Sequence, residues 1–240
     1  MKIGVKTYCD KEYIEHFTNK TDFIEVIGIS KEDFLKNKKI IVHCKHERFK
    51  INLANKLKEK ENIEAIQTAI EIADFCNSDR IIVHPGFIEN ESCSLKNSIN
   101  LMKKFKDKRI ITETMPGNYK NKNFLCSTPE ELKEYIQKTN ISGFCLDINH
   151  TISSATSQNK NPYEYLKEFI KLNPKQIHLG GQKLPEDITH IPFSRSNIDL
   201  KKALEFLHED SEIILEVTQD ITETEKDLEI VRKTWANRIN

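Results

Sequence analysis

The chain has 240 residues, of which 31% are charged and 38% hydrophobic, and its formal net charge is zero. This balance is typical of a soluble globular enzyme and argues against a disordered chain, and it gives no general attraction to nucleic acid or membrane. There is no stretch apolar enough to cross a bilayer, no signal-peptide core after Met1 and no CxxC pair among the six cysteines. We therefore expect a cytoplasmic protein with reduced thiols and no membrane partner.

Eight short apolar segments of strand type follow one another along the chain. They contain mainly Ile, Val and Leu without strict alternation, which is typical of parallel strands buried on both faces. The predicted strands cover residues 2–8, 23–29, 39–43, 80–84, 109–113, 141–147, 176–179 and 212–217.

Helical patterns separate most of these strands. Apolar residues at helical spacing predict helices over residues 13–17, 63–73, 95–105 and 200–207. Proline at the first helical position predicts further helix starts at Thr128-Pro129 and Asn161-Pro162.

Two capping boxes and one loop complete the predicted elements. Thr128 with Glu131, and Thr222 with Glu225, have capping-box spacing, and the second box would open a closing helix over residues 222–235. Residues 184–196 are expected to form an irregular loop.

Strands alternating with helices, without linkers or repeats, predict a parallel sheet. Eight such units match a (β/α)₈ barrel of typically ~250 residues, and we expect one domain over residues 1–240. An open, doubly wound sheet is the alternative fold. It gathers ligands at one crevice, whereas here polar residues stand at the ends of strands three to eight, and only a closed ring brings all those ends together.

Nine ionisable residues lie at the ends of the predicted strands or just beyond them. In a barrel this face carries the active site. Each residue alone has an ordinary explanation: a hydrogen-bonded histidine, a glutamate paired with lysine, or an aspartate that caps the following loop. Together, imidazoles and carboxylates without a thiolate cluster favour zinc, manganese or iron. The nine are His43, His84, Glu113, Asp147, His150, His178, Asp187, His190 and Glu216.

Residues 42–216 carry motifs that resemble, in order and spacing, the xylose isomerase-like barrel superfamily, and more specifically its endonuclease IV branch (AP endonuclease family 2). The motifs are Val42-His43, Ile51-Asn52-Leu53-Ala54, Val83-His84-Pro85-Gly86, Glu113-Thr114-Met115-Pro116-Gly117, Cys145-Leu146-Asp147-Ile148-Asn149-His150, Ile177-His178-Leu179, Asp187 with His190-Ile191-Pro192, and Leu215-Glu216.

The resemblance implies a centre of two or three zinc ions, with manganese as a possible substitute. It assigns one ion to His43, His84 and Glu113, and a second to Glu113, Asp147, His178 and Glu216. A third would be held by His150, Asp187 and His190. Glu113, Asp147 and Glu216 would also be catalytic, since metals that share a water lower its pKa for attack on phosphorus.

The chain departs from the endonuclease IV pattern at several positions. Asp187 and His190 are separated by two residues where that family has one, which makes Asp187 the least secure ligand. Residues 44–50 form a longer loop than in the family, and leave His46 as an alternative to His43. The loop after Ile29 lacks the aromatic and arginine residues expected of a DNA-penetrating surface. Further differences are Gly180-Gly181 in place of Asn-Asp, and Ser194 and Ser196 in place of glycines.

Three functions remain open from the sequence. The first is a zinc phosphodiesterase acting on DNA with abasic sites or on another phosphodiester, with Lys45, Arg48 and Lys50 holding phosphate. These cations belong to a basic stretch, residues 31–60, with ten Lys or Arg against four Asp or Glu, which by itself suggests only a solvated face. The second is a sugar or sugar-phosphate isomerase or epimerase that uses one divalent metal at Glu113, Asp147, His178 and Glu216. The third is a metal-binding module without catalysis.

Overall fold

The computed structural model describes residues 1–119 and 121–238, so residues 239 and 240 of the predicted domain lie outside it. Eight parallel strands close into a barrel in which each strand pairs with its neighbours in sequence and the last pairs with the first. The predicted (β/α)₈ barrel is therefore confirmed. The strands are β1 (Lys2–Thr7), β2 (Phe23–Ile27), β3 (Ile40–His43), β4 (Ile81–Val83), β5 (Ile110–Glu113), β6 (Phe144–Asp147), β7 (Gln176–Leu179) and β8 (Glu212–Leu215).

Helices cover the outside of this barrel, and their apolar faces pack against the outward-facing strand residues in one continuous core. No helix in the described ranges is long and apolar enough to cross a membrane. The helices are α1 (Lys11–Phe17), α2 (Glu59–Phe75), α3 (Leu95–Met102), α4 (Pro129–Lys138), α5 (Ile148–Ser157), α6 (Pro162–Ile170), α7 (Leu200–Glu205) and α8 (Ile221–Ala236).

Two helix predictions need correction. The closing helix α8 is capped by Asp220, whose side chain accepts a hydrogen bond from the Glu223 amide, so the predicted Thr222/Glu225 capping box is wrong. An aspartate two residues earlier competes for the same cap, and Thr222 falls inside the first turn. The second correction is α5, which begins directly after β6 and was not predicted.

Short antiparallel strands stand on the carboxyl-terminal face of the barrel. Gly181–Lys183 and Ile188–Ile191 form a hairpin, so residues 184–196 are more ordered than the predicted irregular loop. A Cβ at Gly181 would lie 2.4 Å from the Ile191 carbonyl oxygen, which explains why glycine stands there. The strands Phe87–Ile88, Asn118–Tyr119 and Lys122–Phe124 form a second small sheet.

The interior of the barrel contains an apolar layer. Because side chains alternate along a strand, every second residue of each barrel strand faces the interior. On β1 the apolar position is Gly4, where a Cβ would lie 2.4 Å from the Phe23 ring. The layer is formed by Phe23, Ile41, Ile82, Ile111, Cys145 and Ile214.

Candidate metal centre

Directly above the apolar layer, the next inward position is polar on all eight strands. We call these eight residues the polar ring: Lys6, Glu25, His43, His84, Glu113, Asp147, His178 and Glu216. Four carboxylates face one lysine, so with neutral imidazoles the ring carries a net charge of −3. Burying such a charge without a compensating cation is strongly unfavourable.

Glu113 lies at the centre of this ring. Its Oε2 is 3.1 Å from His43 Nε2 and 3.2 Å from His84 Nε2. The same oxygen is 3.5 Å from His178 Nδ1, while Oε1 is 3.2 Å from His150 Nδ1. One carboxylate therefore contacts histidines from all three predicted metal groups.

Asp147 has two roles, one for each carboxylate oxygen. Its Oδ1 caps α5 by accepting a hydrogen bond of 2.7 Å from the His150 amide. Its Oδ2 is buried without a hydrogen-bond partner among the described residues, and lies 3.6 Å from His150 Nδ1. Capping thus explains one oxygen and leaves the other available to a cation.

Four sets of side chains bring possible ligand atoms within 4.8 Å of one another in the described part of the chain. Two coincide with the groups that the resemblance implied for the first and second ions. The third places Asp147, not Asp187, with His150 and His190. The sets are His43, His84 and Glu113; Glu113, Asp147, His178 and Glu216; Asp147, His150 and His190; and His46, Glu47 and His84.

The structure does not bring Asp187 into the third group. Its Oδ1 accepts hydrogen bonds from Ser153 Oγ on α5 at 2.5 Å and from Gln182 Nε2 at 2.6 Å, and Gln182 belongs to the hairpin that carries His190. His190 itself faces His150, with ring centroids 5.4 Å apart. The extra residue between Asp187 and His190 is taken up in this hairpin.

His43 rather than His46 occupies the polar ring. His43 ends β3, is fully buried, and places Nδ1 2.8 Å from the carbonyl oxygen of Cys44. His46 lies beyond the strand and contacts Glu47, with 3.2 Å between Nδ1 and Oε2. Of these two histidines, His43 contacts Glu113, with 3.1 Å between Nε2 and Oε2, whereas His46 joins Glu47 and His84 in a separate set of possible ligands.

Three supporting residues were missed by the sequence reasoning: Lys6, Glu25 and Glu47. Glu25 Oε2 is 2.8 Å from His178 Nε2, and Lys6 Nζ lies between Glu216 Oε2 at 2.8 Å and Glu25 Oε1 at 3.4 Å. The available signal was a charged residue inside an apolar strand, since such a charge must be paired when the strand is buried. For Glu47, in a loop, there was no such signal.

Mutual attraction outweighs the burial penalty at most charged groups of the centre. Although burial acts to raise the pKa of Glu113, His84 and His178 lower it well below its usual range. Burial acts to lower the pKa of His84, but Glu113 and Glu47 outweigh it and raise this pKa to about 10. Likewise, Asp147 and Glu113 raise the pKa of His150 to about 9. Near neutral pH, protons on His84 and His150 therefore offset part of the carboxylate charge, and a bound cation would replace them.

A groove crosses the face above the polar ring. It consists of a cavity of about 250 Å³ beside His150 and a second of about 500 Å³ beside Lys6 and Glu216, and both are lined by Arg48 and His190. Tyr8 Oη accepts a hydrogen bond of 2.5 Å from Arg48 Nη1.

Of the three predicted phosphate-binding cations, only Arg48 reaches this groove. Lys45 is half-buried and Lys50 is exposed, and neither belongs to the described lining of the two cavities. Lys122 lines the smaller cavity as an additional cation.

The donor set fits divalent metal ions of the zinc or manganese type. Imidazole and carboxylate are the ligands that these ions take in proteins. Besides Asp147 Oδ2, His190 Nδ1 is buried without a hydrogen-bond partner among the described residues, and His178 Nδ1 lies between Glu216 Oε2 at 3.2 Å and Glu113 Oε2 at 3.5 Å. Unsatisfied buried polar atoms are costly, and their convergence with a ring of net negative charge is the arrangement that a metal ion would complete.

Comparison with known proteins places the fold of this chain in a family. The family model for xylose isomerase-like TIM barrels matches residues 30–234. A probable endonuclease 4 from Metamycoplasma arthritidis is 24% identical over 226 residues, covering 87% of this chain and 74% of that protein. Endonuclease IV from Thermus thermophilus superposes with a TM-score of 0.74 at 15% identity, covering 99% of this chain and 100% of that one.

A D-tagatose 3-epimerase-like protein gives a similar match, with a TM-score of 0.73 and 23% identity over the whole of both chains. The similar proteins are therefore named for two different reactions, and at these identities the structural matches show the fold alone. The family itself is established by the length of the model match. The chain belongs to the xylose isomerase-like TIM barrel family.

Proposed function

We propose that the chain is a metal-dependent phosphodiesterase with a multinuclear centre. The observation that carries this proposal is that Glu113 and Asp147 each belong to more than one possible ligand group. Shared carboxylates hold metal ions close together, which is the arrangement of hydrolases that act on phosphate esters. The similarity to a probable endonuclease 4 supports the same reaction class.

In this proposal the first ion is held by His43, His84 and Glu113, and the second by Glu113, Asp147, His178 and Glu216. The third is held by His150 and His190 with Asp147, while Asp187 orders the hairpin. Divalent ions at these positions supply Lewis-acid polarisation of the phosphoryl group and activation of water.

The remaining residues hold these ligands and the substrate. Glu25, as acceptor, fixes which nitrogen of His178 faces the centre, and Lys6 offsets part of the negative charge of Glu216. Arg48, whose side chain is held by Tyr8, presents a cation to a phosphate in the groove. DNA with abasic sites or another phosphodiester is the proposed partner.

The second candidate is a sugar or sugar-phosphate epimerase. The cavity beside Lys6 and Glu216, of about 500 Å³, lies within the size range of small-molecule sites, and this observation favours the epimerase. Such an enzyme would need only Glu113, Asp147, His178 and Glu216 around one metal, with the carboxylates moving protons. We rank it second because it gives no role to four further histidines, which are His43, His84, His150 and His190.

His150→Ala separates the two candidates. A phosphodiesterase should lose about 10²–10³-fold in the cleavage rate of an abasic-site duplex or a bis-aryl phosphodiester, because stabilisation of the leaving oxygen is removed. The fold and at least one tightly bound metal should remain, as shown by circular dichroism and metal analysis. Wild-type protein that cleaves neither substrate, but exchanges the α-proton of a ketose in heavy water with or without His150, would overturn the hydrolase in favour of the epimerase.

A further inference from the structure

Glu47 lies outside the polar ring and reaches His84 from the opposite side. It follows β3 in a short 3₁₀ turn, Glu47–Phe49, and lines the smaller cavity. Its Oε2 is 2.9 Å from His84 Nδ1, while His84 Nε2 is 3.2 Å from Glu113 Oε2. The imidazole of His84 is therefore held between two carboxylates, one at each nitrogen.

The turn fixes where the Glu47 carboxylate lies. The Phe49 amide donates to the His46 carbonyl oxygen at 2.8 Å, and the Lys50 amide donates to the Glu47 carbonyl oxygen at 3.0 Å. The His46 ring packs against the His84 ring, with centroids 4.8 Å apart, and is 6% exposed. Glu47 thus approaches His84 from a closed turn that is backed by a buried ring.

Two roles are chemically open to Glu47. With His46 and His84 it could ligate a cation directly, since their ligand atoms lie within 4.8 Å of one another. Alternatively, Glu47 could accept a hydrogen bond from the Nδ1–H of His84, while His84 Nε2 binds the ion of the first metal group. The second role agrees with the normal hydrogen bond of 2.9 Å to Nδ1. Direct ligation would require His84 to lose the protons of both ring nitrogens whenever an ion also occupies the group of His43, His84 and Glu113.

We propose that Glu47 is a positioning residue, which fixes the tautomer and orientation of His84 so that Nε2 is presented to the first metal ion. The inference rests on the first metal group of the proposed function. Residues that hold the outer nitrogen of a metal-bound histidine typically contribute 10–100-fold to metal affinity.

The experiment measures zinc affinity by chelator competition and the visible absorption spectrum of the cobalt-loaded protein. Glu47→Ala should weaken the binding of one zinc ion about 10–100-fold and shift the cobalt bands, because His84 loses its outer partner. Glu47→Gln should restore most of the affinity, since its amide oxygen still accepts the Nδ1 proton. Glu186→Ala is the matched control, as it removes an exposed carboxylate paired with Lys183 on the same face.

The outcomes separate the inference from the function on which it rests. Unchanged zinc affinity and an unchanged cobalt spectrum in Glu47→Ala would overturn the inference alone. Loss of a whole zinc equivalent in His46→Ala as well as Glu47→Ala would also overturn it, in favour of direct ligation. Wild-type protein that takes up no zinc would overturn the metal centre and the inference together.

Discussion

At the scale of single residues, the centre follows from where charge can be buried. A carboxylate or imidazole at the end of an apolar strand is visible in the sequence, which is why His43, Glu113 and His178 were predicted and now lie together. The replacement of Asp187 by Asp147 in the third group was not predictable. It depends on how the hairpin uses one extra residue, and on α5 turning His150 back toward Asp147.

Glu113→Gln should remove more metal than any other single substitution. Its carboxylate contacts His43, His84, His178 and His150, and an amide offers one neutral oxygen in place of two charged ones. We expect the loss of at least one zinc ion per chain, measured by mass spectrometry of metals after dialysis. His190→Ala, at the rim, is the comparison, and equal losses from both variants would contradict the central position of Glu113.

At the scale of elements, capping residues decide where helices meet the centre. Pro-based starts at Thr128 and Asn161 were predicted, and both residues cap their helices. Periodicity did not reveal α5, because its Thr and Ser residues have little helical signal and its cap, Asp147, resembles a strand end. Local competition between two possible caps likewise moved the start of α8 to Asp220.

The correction at α8 can be tested by removing each possible cap. Asp220→Ala should lower the free energy of unfolding by about 1 kcal/mol, because the Glu223 amide loses its acceptor. Thr222→Ala, at an exposed position in the first turn, should change it by less than about 0.5 kcal/mol. Urea denaturation measures both changes, and a larger effect of Thr222→Ala would show that Thr222 is the capping residue.

A second prediction at this scale concerns Asp227, through which α8 holds the turn after the His190 hairpin. Asp227 Oδ1 accepts a hydrogen bond from the Phe193 amide at 3.0 Å, and Oδ2 has no hydrogen-bond partner in the described part of the chain. Burial raises the pKa of Asp227 from 3.8 to about 6. Because the folded-state pKa is the higher one, the folded protein is favoured below about pH 4, and this contribution is lost as pH rises through 6.

Asp227→Asn should therefore stabilise the protein in a pH-dependent way. Asparagine keeps the acceptor for Phe193 and removes the buried charge, so we expect a gain of about 1 kcal/mol at pH 8. Near pH 4 the gain should largely disappear, since Asp227 is then protonated in the folded protein and about half protonated in the unfolded chain. Urea denaturation at the two pH values measures the difference. An equal gain at both would show that the buried charge of Asp227 is not its cause.

At the scale of the whole molecule, the barrel gathers eight separate strand ends into one site. The repeated strand-to-helix pattern predicted a parallel sheet, and the polar residues at the ends of strands three to eight decided for the closed ring, because only a ring brings those ends together. The contacts of Lys6 with Glu216 and of Glu25 with His178 depend on closure, because closure places β1 beside β8. Fold and family are thus accessible from sequence, whereas the choice between hydrolysis and epimerisation depends on how many ions the closed ring holds.

The number of metal ions per chain tests that choice most directly. Zinc binding displaces protons from its ligands, so loading is favoured by higher pH. Wild-type protein that is loaded with zinc near pH 8 and then dialysed should retain more than one zinc ion per chain by mass spectrometry of metals. The prediction follows from three ligand groups joined by Glu113 and Asp147. Retention of a single ion at most, with the fold intact, would contradict the multinuclear centre.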